Sequence, residues 1–186
     1  MLMMQLPGRE RPSTLVAYIA LMTALAAAIS YLEMLIPVNY FGIPGVKAGF
    51  ANVVSLAALY MFGPLYAYLI TVVRVILIGF MFGNMYSIIF SLTGGLLSVT
   101  VMCIAKKTGA FGITGISVAG GVFHNLGQLL IACVTLKGIN LIYYMPVLII
   151  SGTVCGCLTG LLAGMVTDRI GVNTGGENDR ISEGNA

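Results

Sequence analysis

The sequence predicts an all-α fold, a polytopic membrane protein built as a bundle of six transmembrane helices. Three observations predict it. Of the 186 residues, 59% are hydrophobic and 8% are charged, whereas a soluble domain carries about a quarter charged residues. Apolar stretches near the ~20 residues that cross a bilayer recur along the chain. These stretches are continuous, without the period-two alternation of a membrane β-barrel. The formal net charge of +3 is small and no basic stripe with interleaved aromatics occurs, so nucleic-acid binding has no support.

The first span covers about residues 13–36, and Pro12 with Ser13 suits a helix start. Arg9 and Arg11, placed before an apolar run containing Ala24-Leu25-Ala26, imitate a secretory signal. The run continues through Leu32, Met34, Leu35 and Ile36, longer than a signal's apolar region, so an uncleaved span is expected. Residues 37–47 make a turn-rich loop with Asn39, Gly42, Pro44 and Gly45. The second span, about 48–62, is short, as a tilted or partly re-entrant helix would be. Gly63-Pro64 breaks the chain before a third span at about 65–82. Gly83-Asn84 is the next turn, and the fourth span covers about 87–105. Lys106-Lys107-Thr108-Gly109 reads as a loop. The fifth span covers about 113–136, a short loop follows at 137–140, and the sixth span covers about 141–166. The organisation is then a cytoplasmic N-terminal arm (1–12), a six-helix transmembrane domain (13–168) and a polar cytoplasmic tail (169–186), expected to be disordered.

With an even number of spans, both ends share a side. Arg9, Arg11, Lys106, Lys107, Arg169 and Arg180 fall on it, and Lys47 and Lys137 on the other. Basic residues favour the cytoplasmic side, so both termini are expected there. If Gly63-Pro64 is only a kink, the count is five and the bias disappears.

Two stripes of small residues stand out. The first span carries Ala20, Ala24 and Ala28, four apart, and the sixth carries Gly152, Gly156, Gly160 and Gly164. That spacing puts one smooth face on a helix and lets another backbone approach closely. We read the sixth-span stripe as packing within the bundle and the first-span stripe as a docking face for a partner helix. The cysteines, Cys103, Cys133, Cys155 and Cys157, lie in apolar segments with no His or carboxylate near Cys155 and Cys157. They read as small core residues, and no metal site is expected.

Ionisable residues inside the spans are the candidates for function. Glu33, Arg74 and His124 sit in apolar runs, where a charge is costly unless paired or wetted. In the six-span topology Glu33 lies near the outer end of the first span, and Lys47 opens the second with Asn52 a turn deeper. Arg74 is midway along the third, and His124, Asn125 and Gln128 are midway along the fifth. His124 and Gln128, four apart, share a face. A pocket of Lys47, Asn52, Arg74, His124, Asn125 and Gln128, with Glu33 beside it, is rich in donors and suits an anionic or carbonyl-bearing solute. An internal Glu33–Arg74 ion pair is compatible with such a pocket.

Catalysis finds little material. Prenyl-chain synthases need aspartate-rich motifs to hold magnesium, and the aspartates here are Asp168 and Asp179, in the tail. The sequence has no H-E-x-x-H and no G-x-x-x-x-G-K-S/T, so no cofactor is expected and no nucleotide hydrolysis by this chain. Two similar halves, common in secondary transporters, are absent.

Several strings carry a resemblance: Gly45-Val46-Lys47-Ala48-Gly49-Phe50-Ala51-Asn52, Arg74-Val75-Ile76-Leu77-Ile78-Gly79, Phe90-Ser91-Leu92-Thr93-Gly94-Gly95, Gly115-Ile116-Ser117-Val118-Ala119-Gly120-Gly121 and His124-Asn125-Leu126-Gly127-Gln128. In order and over nearly the whole span region, they resemble the bacterial membrane family called Gx transporters, also known as heptaprenyl diphosphate synthase component I. That family is similar in size and layout to the substrate-binding S components of energy-coupling factor (ECF) transporters. The resemblance implies a multi-pass protein of the cytoplasmic membrane, surrounded by membrane lipid, that captures a small-molecule solute from outside. It also implies three partners, a membrane coupling subunit and two ATPase subunits, with docking through A-x-x-x-A on the first helix, here Ala20-Ala24-Ala28. In the implied cycle the 37–47 loop closes over the solute, and the loaded subunit tilts in the coupling module. The synthase label implies an alternative, a non-catalytic membrane accessory subunit in making the heptaprenyl diphosphate side chain of menaquinone. In that role the Arg/Lys/His cluster holds a diphosphate.

Overall fold

The computed structural model describes residues 12–35, 49–135 and 141–170. The N-terminal arm, the 37–47 loop with its Lys47, Lys137 and the tail from 171 lie outside the described residues. Six α-helices are present, α1 (Pro12–Leu35), α2 (Asn52–Met61), α3 (Pro64–Phe82), α4 (Met85–Thr108), α5 (Ile113–Thr135) and α6 (Met145–Ile170), with a 3-10 turn over Leu141–Tyr144. No strand occurs among the described residues.

Five helices, all but α2, are long and apolar enough to cross a membrane. α2 differs from the expected second span. It has 10 residues, about 15 Å at 1.5 Å per residue, against a hydrocarbon core of about 30 Å. It starts at Asn52 because Gly49, at φ +88°, and the turn bonds Asn52 N–H to Gly49 O (3.0 Å) and Val53 N–H to Phe50 O (3.1 Å) occupy the preceding residues. Val54, Leu56, Ala57, Ala58 and Leu59 are buried, and α2 touches all five other helices. It is the hub of the bundle.

Gly63-Pro64 reverses the chain and is not a kink. Asn52 meets Arg74, and one turn further along α2 Ser55 meets Thr71, so α2 and α3 run antiparallel. Gly63 takes φ +96° and Pro64 opens α3, the pairing of a glycine turn with a helix-first proline. The ring contacts Tyr18–Phe62 and Tyr31–Phe82 make α1 antiparallel to α2 and parallel to α3. Contacts of Gly95 with Thr71, Gly120 with Met102 and Gly156 with Val118 continue the alternation through α4, α5 and α6. The start of α1 and the end of α6 therefore lie at the same end of the bundle.

The expected loop at Lys106-Lys107 is corrected. Both lysines lie in the last turn of α4, which ends at Gly109 with φ +65°. Cations there favour the helix dipole. Lys106 also donates from Nζ to Leu59 O at 3.0 Å and lies 4.2 Å over the Tyr60 ring, closing the end of α2. At the other end of α4, the Asn84 side chain accepts from Ser87 N–H at 2.8 Å, an N-cap in the ordinary sense. α6 begins later and runs further than expected, Met145–Ile170, with Pro146 in its first turn, where proline is tolerated.

The glycine stripe of α6 packs on α5. A methyl added to Gly156 would stand 2.6 Å from Val118 Cα, and one on Gly160 would stand 2.8 Å from Thr114 Cα. Gly152 faces Gly121 in the same way. Away from these seams, Leu21, Leu25, Leu32, Phe80, Leu161 and Met165 are exposed, as an apolar solvent would allow.

Candidate functional site

The site is assembled from five helices and the turn before α2. On α3, Ala67, Ile70, Thr71, Arg74, Val75 and Ile78 form the buried stripe. Arg74 thus faces inward by helical period alone, with 4% of its surface exposed. Its Nη1 donates to Ser30 Oγ of α1 at 2.9 Å, and its Nη2 donates to Asn52 Oδ1 of α2 at 3.1 Å. Glu33, one turn beyond Ser30, accepts from the Gly49 backbone N–H and lies within electrostatic reach of Arg74.

Gly49 joins the two halves of the cluster. A methyl there would stand 2.9 Å from His124 Cδ2 and 3.1 Å from Asn52 Nδ2. Its backbone lies against both residues in a left-handed conformation that glycine adopts freely. From α5, His124 Nε2 and Gln128 Nε2 are 2.9 Å apart, a bond whose direction depends on the tautomer. α4 approaches through Gly94, where a methyl would meet His124 O at 2.7 Å and Gln128 Cγ at 2.9 Å. Gly95 faces Thr71, with Arg74 Nη2 4.0 Å from its Cβ position.

Of the expected pocket residues, the structure brings together Glu33, Asn52, Arg74, His124 and Gln128. All are buried. Asn125 serves another seam, where its Nδ2 donates to Leu148 O of α6 at 2.9 Å. Lys47 lies outside the described residues. Ser30, Gly49, Ser91, Gly94 and Gly95 were missed by sequence reasoning. Ser30 had a signal, since it precedes Glu33 by three and shares its face. Gly49 and Ser91 had none beyond the strings that contain them.

Hydrogen bonding in the cluster is uneven. Arg74 Nε and Asn52 Nδ2 are buried with no partner, as is Ser91 Oγ one turn before Gly94 and Gly95 on α4. Buried polar groups are ordinarily satisfied, so each calls for an explanation. Among the described residues, no group of three His, Cys, Asp or Glu gathers as a metal site requires. The arrangement offers donors to a bound group and no set of nucleophile, base and orienting acid.

On the other side of α1, Ala20, Ala24 and Ala28 are all exposed. Val16, Ile19, Ala20, Thr23 and Ala24 line an apolar groove of about 470 Å³ with Leu69, Val73 and Leu77 of α3.

No curated protein and no solved structure matches the chain. A family model matches residues 22–166, from the middle of α1 to near the end of α6, and it encloses every described residue of the polar cluster. The chain belongs to the family of heptaprenyl diphosphate synthase component I.

Proposed function

We propose that this protein is the solute-binding subunit of an ECF-type importer in the bacterial cytoplasmic membrane. In this reading the chain returns from the end of α1 to the start of α3 by way of the short α2, both termini are cytoplasmic, and the polar cluster opens toward the outside. Lys106, Lys107 and Arg169 then lie on the cytoplasmic side. A small solute fills the site at Arg74, Asn52, His124 and Gln128, and Glu33 balances the guanidinium. A membrane coupling subunit docks on the Ala20-Ala24-Ala28 face, and two ATPase subunits supply the energy that this chain has no motif to supply. Solute drives the cycle only by binding one conformation better than the other.

The observation that carries the reading is the pair of buried, unpartnered donors, Arg74 Nε and Asn52 Nδ2. Leaving buried donors unmatched is costly, and an acceptor on a bound solute would satisfy both. The exposed alanine face supports the docking half of the reading. Copurification from gently solubilised membranes tests it. The protein should bring down a coupling subunit and ATPases, and a soluble aspartate-rich synthase in their place would refute it.

The family's description favours a second reading, a non-catalytic membrane subunit of heptaprenyl diphosphate synthesis. The description is that of a component of a synthase, and the described residues gather no metal-binding or catalytic set. A diphosphate fits this cluster poorly, because Glu33 places a carboxylate near the one buried guanidinium among the described residues, and like charges repel.

A further inference from the structure

The importer reading leaves the class of solute open, and the cluster's own atoms narrow it. Arg74 commits Nη1 to Ser30 and Nη2 to Asn52 Oδ1, while its Nε is unpartnered. Asn52 accepts through Oδ1 and leaves Nδ2 unpartnered. The Nη2–Oδ1 bond holds the Asn52 amide against the guanidinium, so these two donors belong to one patch. Both atoms are N–H donors with no capacity to accept. What the patch lacks is acceptor oxygen.

The charge of that oxygen is constrained as well. Glu33 already sets one carboxylate near Arg74. Arg74 and Glu33, the buried cation and the buried carboxylate among the described residues of the cluster, offset one another. Between these two buried groups a neutral solute keeps the balance, whereas a net anion would upset it. A carbonyl brings two lone pairs and no charge.

We propose that the solute carries no net charge and presents a carbonyl oxygen of amide, lactam or ureido type, which accepts from Arg74 Nε–H and Asn52 Nδ2–H. Ser91 completes the match. Its Oγ is buried and unpartnered, on the same face of α4 as Gly94 and Gly95, and a hydroxyl can accept the N–H that such a group carries beside its carbonyl.

The inference rests on the importer reading and is tested apart from it. The full-length protein in mild detergent is titrated with propionamide and with propionate, matched in shape and different in charge, while its melting temperature is followed. Propionamide should bind about tenfold tighter or more, the direction set by the buried carboxylate of Glu33. Glu33→Gln should abolish or invert that preference, and its melting temperature without additive reports whether it folds. The wild-type comparison decides alone if it does not. Propionate binding as tightly as propionamide overturns the neutral-solute class and leaves the importer reading intact. Binding of neither compound also overturns it. The importer reading falls on a separate result, failure of the coupling subunit to copurify.

Discussion

The small-residue stripes of α1 and α6 look alike as sequence and do opposite things in the fold. Gly152, Gly156 and Gly160 are filled from α5, backbone on backbone. Ala20, Ala24 and Ala28 face out of the bundle. Spacing of four identifies a smooth face, and what lies across it decides the role. On α5 the partner face presents backbone where it counts, at Gly121, Val118 and Thr114. The alanine face of α1 stays exposed beside the groove it shares with α3, and the helix buries Ala26, Ser30 and Glu33 instead.

The strongest test of that contrast is a large residue in the filled seam. Gly156→Leu should lose about 3 kcal/mol or more in unfolding in detergent, because the atom it meets, Val118 Cα, is backbone and cannot turn aside. A glycine outside any stripe separates close approach from spacing. Gly49→Ala, strained at φ +88° and 2.9 Å from His124, should lose about 1–3 kcal/mol. The far end of the α6 stripe should behave differently from its middle. A methyl on Gly164 meets nothing closer than Ile113 at 3.5 Å, so Gly164→Ala should gain about 0.5–1 kcal/mol from helix propensity. The smallest effect on stability belongs to α1. Ala24→Leu should change the unfolding free energy by about 0.5 kcal/mol or less, as exposed sites do. It should nevertheless reduce copurification of the coupling subunit severalfold. A stability loss at Ala24 as large as at Gly156 would erase the distinction between the stripes.

Much of this was legible in the sequence. The apolar blocks placed five of the helices within a few residues, and Glu33, Arg74 and His124 marked the polar cluster because charge inside an apolar run needs a reason. The length of α2 was not legible. Its apolar run reads equally as a short span and as a buried hub helix, and the turn at Gly49–Asn52 that delays its start depends on contacts with Glu33 and His124 far along the chain. Lys106 misled for a related reason. Two lysines after an apolar run suggest a loop, but the partner that keeps Lys106 helical is the Leu59 carbonyl, 47 residues away. Asn125 was assigned to the pocket by its neighbour His124. One residue along a helix is a turn of about 100°, enough to carry it to the α6 seam.

The most direct test asks whether something occupies the buried donors of Arg74 and Asn52. Native mass spectrometry of the gently purified protein should find a bound small molecule in the wild type. Arg74→Gln, folded by its melting curve, should lose that molecule. Bare protein in both samples, or the same bound molecule retained undiminished in Arg74→Gln, would contradict the claim that this cluster is a solute site.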